Sequence, residues 1–263
     1  MPSKYSVLNH AQQQEITRLC VHTALLLLQH GAESTLVSQI AARLGKALGV
    51  ESVEVALTAN AIVLTTLHQG HCITTARRNQ DRGINMHVVT EVQHIVIAAE
   101  HRIYDRSVVR KKLYNIKPLK YNRYYVLLMV GLSCASFAHL AGGDALICLI
   151  TFLAACAAML VRQELAMRHY NPIIVFACTA FVATCISGLS LRFHLGNDSQ
   201  IAIASSVLLL VPGFPFINAL SDILKGYTNM GIGRWALATV LTFGACIGIV
   251  FALSLLNIQQ WGG

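Results

Sequence analysis

Residues 201–221 read IAIASSVLLLVPGFPFINALS, a long apolar run broken in its middle by Val211-Pro212-Gly213-Phe214-Pro215. An apolar stretch of this length predicts a membrane span. Two prolines and a glycine remove backbone hydrogen bonds at about the depth where a bilayer offers no water to replace them. The span is therefore expected as two half-helices, the second beginning around Gly213.

The composition around this stretch agrees. Of 263 residues, 55% are hydrophobic and 12% charged, with a mean hydropathy of +0.56. That charge content is about half the usual ~25%, which excludes an ordinary water-soluble fold. Most charges precede Arg123, so the chain divides by composition into a soluble domain over residues 1–120 and a transmembrane domain over residues 121–263. Five apolar spans can be drawn, at about 124–140, 145–161, 172–191, 201–221 and 235–256. Within these boundaries none contains Asp, Glu, Lys or Arg.

The net charge of +8 is concentrated in Arg110, Lys111, Lys112, Lys117, Lys120 and Arg123, just before the first span. That is the placement of a lipid-facing cytoplasmic collar, not of a nucleic-acid surface. Basic residues then alternate. The connection at 141–144 has none, the next carries Arg162, Arg168 and His169, and the last carries Lys225 and Arg234. The positive-inside rule places the N-terminus inside and the C-terminus outside. The polar start of the chain has no signal-peptide pattern. The expected fold is an α-helical polytopic membrane protein of about five transmembrane helices, N-in/C-out, with an N-terminal cytoplasmic α+β domain.

Within the N-terminal domain, Ile16, Leu19, Cys20, Thr23, Leu26 and Leu27 recur at helical spacing up to Gly31, and a second helix follows with Ser34 as its expected cap and Gly49 as its end. Segments 52–58, 61–67 and 72–77 are rich in Val, Ile and Thr and are separated by turn residues, which predicts a three-stranded antiparallel meander. Helical periodicity returns at 87–101 and 106–116. In the membrane half, Asn171-Pro172 reads as a helix start. Small residues at four-residue spacing (Gly131/Ala135, Ala154/Ala158, Gly244/Gly248) permit close helix approach.

Chemistry-bearing motifs are sparse. The eight cysteines form no CxxC pair, which disfavours a redox motif or zinc ribbon. His68 and His71 flank a turn beside Cys72, and His94 and His101 sit two helical turns apart, without the spacing of a metal site. No serine elbow, P-loop or dinucleotide fingerprint is present, so neither an enzyme nor a cofactor is expected.

Leu210-Val211-Pro212-Gly213 followed by Asn218 and Asp222, together with Asn171-Pro172 and the order helix to His30-Gly31, helix to Leu48-Gly49, then strands, resembles the threonine/serine exporter (ThrE) family. The resemblance runs from about Ile16 to Leu256 and is nearest to its branch of YjjP-like inner-membrane subunits. It implies a bacterial inner-membrane secondary transporter that exports threonine and serine or, in this split branch, dicarboxylates such as succinate. A smaller YjjB-like membrane subunit is implied as partner, because the chain stops soon after its fifth span.

In that setting the break gains a chemical reading. Discontinuous helices near the midplane are where transporters commonly hold substrate. The N-terminus of the second half-helix carries free N–H groups and roughly half a positive charge, suited to a carboxylate. Pro212, Gly213, Phe214, Pro215, Asn218 and Asp222 are the candidate substrate-binding and transport residues. Pro215, Asn218 and Asp222 share one helical face. Asn218 can hydrogen-bond substrate. Asp222 is either a proton-coupling or gating group, or one half of a capping or loop ion pair, for instance with Lys225. The alternative function is a membrane-anchored ligand sensor or regulatory subunit. Export that persists without residues 1–100 would separate the two.

Overall fold

The structure, a computed structural model, describes residues 8–257; the polar residues 1–7 and the uncharged tail 258–263 lie outside them. The chain divides into two compact units. One comprises the described residues up to Lys120 together with Phe216–Trp235. The other comprises Tyr121–Pro215 together with the described residues from Ala236 onward.

The first unit begins with α1 (His10–Gln29) and α2 (Ser34–Ala47), continues through β1 (Ser52–Leu57), β2 (Ala61–His68) and β3 (His71–Arg78), and returns to helix in α3 (Met86–Glu100) and α4 (Arg106–Tyr114). The sheet is an antiparallel meander in the order β1-β2-β3. Its second turn is a two-residue connection, Gln69 at φ 48° and Gly70 at φ 76°, the twist that a tight hairpin favours. Ile62, Leu64, Thr66 and His68 of β2 are buried. Opposite them, α1 contributes Gln13, whose Nε2 donates to the carbonyls of Thr66 (3.3 Å) and His71 (3.0 Å), and Thr17, whose hydroxyl lies 2.7 Å from that of Thr66. The expected helix–helix–meander–helix–helix order is observed. Met230 joins the same core as Ile16, Leu27, Val37 and Val92.

Gly31, at φ 90°, ends α1 in a Schellman turn: Ala32 N–H donates to Leu27 O at 3.0 Å and Gly31 N–H to Leu28 O at 3.3 Å. The turn leads directly into α2, and here one expectation is corrected. Ser34 is the first residue of α2 rather than its cap; Glu33 holds the cap position and makes no side-chain cap bond.

The second unit is helical: α5 (Arg123–Leu140), α6 (Ala145–Met167), α7 (Pro172–Arg192), α8 (Ser199–Val207) with a 3-10 turn at Leu208–Leu210, and the length of α10 (Thr228–Leu255) from Ala236 onward. Asn171 Oδ1 accepts from Ile173 N–H at 3.0 Å with Pro172 in the first turn of α7, as the sequence predicts. Gly244 and Gly248 of α10 lie against α7, where a Cβ on Gly248 would stand 2.1 Å from the Ala177 carbonyl oxygen. α5, α6, α7 and α10 are each long and apolar enough to cross a membrane, and α8 with α9 (Gly213–Leu224) forms a bent pair that counts as a fifth span if taken together. The chain is a multi-pass membrane protein.

The helix of the second span continues past Val161. α6 continues to Met167, so Arg162, Gln163 and Glu164 lie inside the helix and not in a connection. Arg, Gln, Glu, Leu, Ala and Met are all strong helix formers, and the apolar run ends before the helix does.

Candidate functional site

The break forms as its residue types require. After the 3-10 turn, Val211 N–H donates to Leu208 O at 3.1 Å, Pro212 has no N–H to give, and Gly213 N–H turns back to Val211 O at 2.9 Å. α9 then starts at Gly213. With Gly213 N–H engaged and Pro215 lacking one, Phe214 and Phe216 supply the remaining amides of this first turn. A Cβ at Gly213 would meet nothing within 4 Å, so the glycine is not demanded by crowding. Pro212, Gly213, Phe214 and Pro215 belong to the second unit, whereas Asn218 and Asp222 belong to the first.

Within the first unit, Asn218 and Asp222 share the face of α9 that meets the Gly31–Ser34 turn. Asn218 Nδ2 donates to Gly31 O at 3.0 Å. Asp222 is fully buried. Its Oδ1 accepts from Ser34 N–H at 3.0 Å, and its Oδ2 accepts from Ser34 Oγ at 2.9 Å and Arg234 Nη1 at 2.8 Å. The carboxylate therefore caps α2 from 188 residues away. Arg234 Nη2 closes the ring by donating to Ala32 O at 2.7 Å. Asp222 pairs with Arg234, while Lys225 pairs with Glu33, which also accepts from Ser221 Oγ. The Lys225 ammonium, then the Ser221 hydroxyl, hold Glu33 below the ordinary carboxylate range.

Within the second unit, a residue outside the predicted set stands beside the break. Arg162 of α6 is half-buried; its Nη1 donates to Leu209 O at 3.1 Å, and its guanidinium carbon lies 5.1 Å from the centroid of the Phe176 ring. It sits about 8 Å short of the end of α6 by helical rise. A long cationic side chain ordinarily extends its head toward water; this one turns onto Phe176 and the 3-10 turn. Glu164, two residues on, is taken by Arg123 and Arg168, and no carboxylate pairs with Arg162 among the described residues. Arg162 lines a cavity of about 190 Å³ whose walls include Val130, Ser133, Phe137, Met159 and Leu208. The sequence signal was available in the helix-forming run after Val161.

The histidines form no cluster. His68 Nε2 accepts from Leu8 N–H at 3.3 Å and His94 Nδ1 lies 3.9 Å from Glu91. Among the described residues no group of three or more His, Cys, Asp or Glu is placed to hold a metal ion.

The family described as "Putative threonine/serine exporter" matches residues 18–256. A "Probable succinate transporter subunit YjjP" of Escherichia coli K12 is 55% identical over 95% of this chain and 98% of its own length. The protein of the same description from Klebsiella aerogenes is 54% identical over 95% of this chain and 98% of its own. An uncharacterised Haemophilus influenzae protein is 43% identical over 94% and 96%. No solved structure matches. A match spanning nearly every element from α1 to α10 leaves one conclusion: the chain belongs to the threonine/serine exporter family.

Proposed function

We propose that this chain is a subunit of a secondary transporter that exports small carboxylate-bearing metabolites across the bacterial inner membrane, a dicarboxylate such as succinate before threonine or serine. The observation that carries the reading is the interrupted segment Val211–Gly213, where an apolar helix stops, loses its ladder at Pro212 and restarts with donor amides at Phe214 and Phe216. Such a break in a membrane protein suits an anionic substrate group. The names of the curated relatives support succinate as the substrate and a second subunit as partner, in our reading the smaller YjjB-like one.

Pro212, Gly213, Phe214 and Pro215 form the substrate end of this site. Asn218 and Asp222 fasten α9 to the Gly31–Ser34 turn within the first unit. The N-terminal domain is cytoplasmic and the C-terminus outside. Supporting that topology, Asn197 bridges Asp144 N–H and Gly142 O, and Arg192 reaches Leu256 O, at the weakly basic end of the second unit. Arg123 and Gln163 meet at the other, basic end.

The test is export of labelled succinate, threonine and serine from cells expressing the chain with and without the small partner. Repeating uptake into inside-out vesicles with and without a proton gradient decides coupling. Pro212→Ala, which restores a donor and helix continuity, should lower flux at equal expression. Unchanged flux would remove the break from the transport path.

A further inference from the structure

Arg162 is charged, turned inward, beside the break, and without a carboxylate partner among the described residues. Among the described residues its one hydrogen bond goes to Leu209 O, a carbonyl at the end of a helical segment. The bland account is a C-terminal cap, in which a cation satisfies an orphaned carbonyl. Three observations go beyond a cap. A guanidinium has five N–H donors in a planar fork, and one carbonyl occupies one of them. The side chain opens onto a cavity of about 190 Å³, a volume that a cap does not need. That cavity is otherwise apolar apart from Ser133 and Cys134, with no acidic residue in its wall.

We propose that Arg162 anchors a substrate carboxylate in this cavity, and that the absence of an acidic partner there selects acids without an ammonium group over amino acids. The inference rests on the transport reading above and deepens it. A carboxylate entering the cavity meets the free edge of the guanidinium in bidentate geometry, while Leu209 O keeps Nη1 oriented. The Phe176 ring adds a cation–π contact 5.1 Å from the guanidinium carbon. The volume lies below the ~300–1,000 Å³ of drug-sized pockets and suits a metabolite of a few carbons. An α-amino acid would bring its ammonium into an apolar cavity whose fixed charge is already positive, with no anion to pair it. A dicarboxylate brings in its place a second carboxylate, which the guanidinium attracts rather than repels.

The experiment uses inside-out vesicles from cells expressing the full chain with its small partner, with labelled succinate and threonine as probes. Two variants carry the test. Arg162→Gln keeps a donor for Leu209 O and removes the charge. Ser133→Leu fills the cavity from an exposed position on α5 and leaves Arg162–Leu209 untouched. For each, the half-saturating succinate concentration and the protection that succinate gives against thermal unfolding are measured. Both variants should raise half-saturation by about tenfold or more, the scale of a lost charged hydrogen bond, and lose the protection; Arg162→Lys should recover part of each. If both variants match wild type, Arg162 is a cap and the proposal is overturned while transport stands. Wild-type preference for threonine over succinate overturns the selectivity. A wild type that moves neither acid overturns the transport reading and this one with it. Should Arg162→Gln fail to reach the membrane, Ser133→Leu alone decides.

Discussion

Asp222 Oδ2 lies 2.8 Å from Arg234 Nη1, with the carboxylate side chain fully buried and the arginine side chain 13% exposed. The pair joins α9 to α10 across twelve residues, and through Ser34 and Ala32 it also holds the turn between α1 and α2. A buried ion pair is weak evidence for net stability, but a broken one leaves an uncompensated charge. Removing one partner is therefore expected to cost more than the intact pair contributes.

Asp222→Ala or Arg234→Ala alone is therefore expected to cost about 3–5 kcal/mol. The double replacement Asp222→Leu/Arg234→Met should cost clearly less than the two single losses combined. Thermal unfolding of the purified protein in detergent measures this. Strictly additive losses would mean that the two side chains act independently.

What could be read from the residues, and what could not, divides along contact range. The meander was legible because alternating Val, Ile and Thr and the Gln69-Gly70 turn are local signals, and the α7 start because Asn171-Pro172 carries its own cap. The break at Pro212-Gly213 was legible for the same reason. The Asp222–Ser34 bond was not, since no periodicity links residues 188 apart; Ser34 looked like a self-sufficient cap when its N–H is in fact capped by α9. Arg162 was read as part of a connection because hydropathy ends a span at the first charge, whereas backbone propensity carries the helix α6 on to Met167. Asn218 and Asp222 were correctly placed on one helical face, and only tertiary structure revealed that protein groups occupy that face.

Gly248 predicts a packing limit. Its missing Cβ would stand 2.1 Å from Ala177 O, and that at Gly244 3.0 Å from Ile173 O. Because the obstruction is backbone, a side-chain rotation cannot relieve it. Gly248→Leu should destabilise the second unit by at least the ~1–3 kcal/mol typical of overpacking, with Gly244→Ala milder. Melting temperature and membrane yield report the effect. A Gly248→Leu protein that melts like wild type would contradict the α7–α10 contact.

Glu33 predicts an acid-sensitive contact. Hydrogen bonds from Lys225 and Ser221 depress its folded-state pKa. A depressed carboxylate contributes stability that is fully present above its unfolded value, about 4.3, and is lost as pH falls through the folded value. Wild type should therefore lose melting temperature on acidification below about pH 4.3 more steeply than Glu33→Gln. The contrast is small because the Glu33 side chain is 29% exposed and Lys225 47%. Parallel profiles for the two proteins would remove Glu33 from the acid response.

Cys72 offers a test of orientation without engineered labels. It is a free, exposed thiol on β3, whereas Cys20 in the same unit is buried and its thiol is pushed up to about 12, leaving it protonated and inert. Cys246 is exposed on α10 among Phe243, Ile247 and Val250, a surface suited to lipid that a charged reagent does not enter. A cytoplasmic N-terminal domain therefore predicts that a membrane-impermeant maleimide labels inside-out vesicles and leaves intact cells unlabelled. Cys72→Ser should abolish that labelling. Modification of Cys72 in intact cells would overturn the proposed topology.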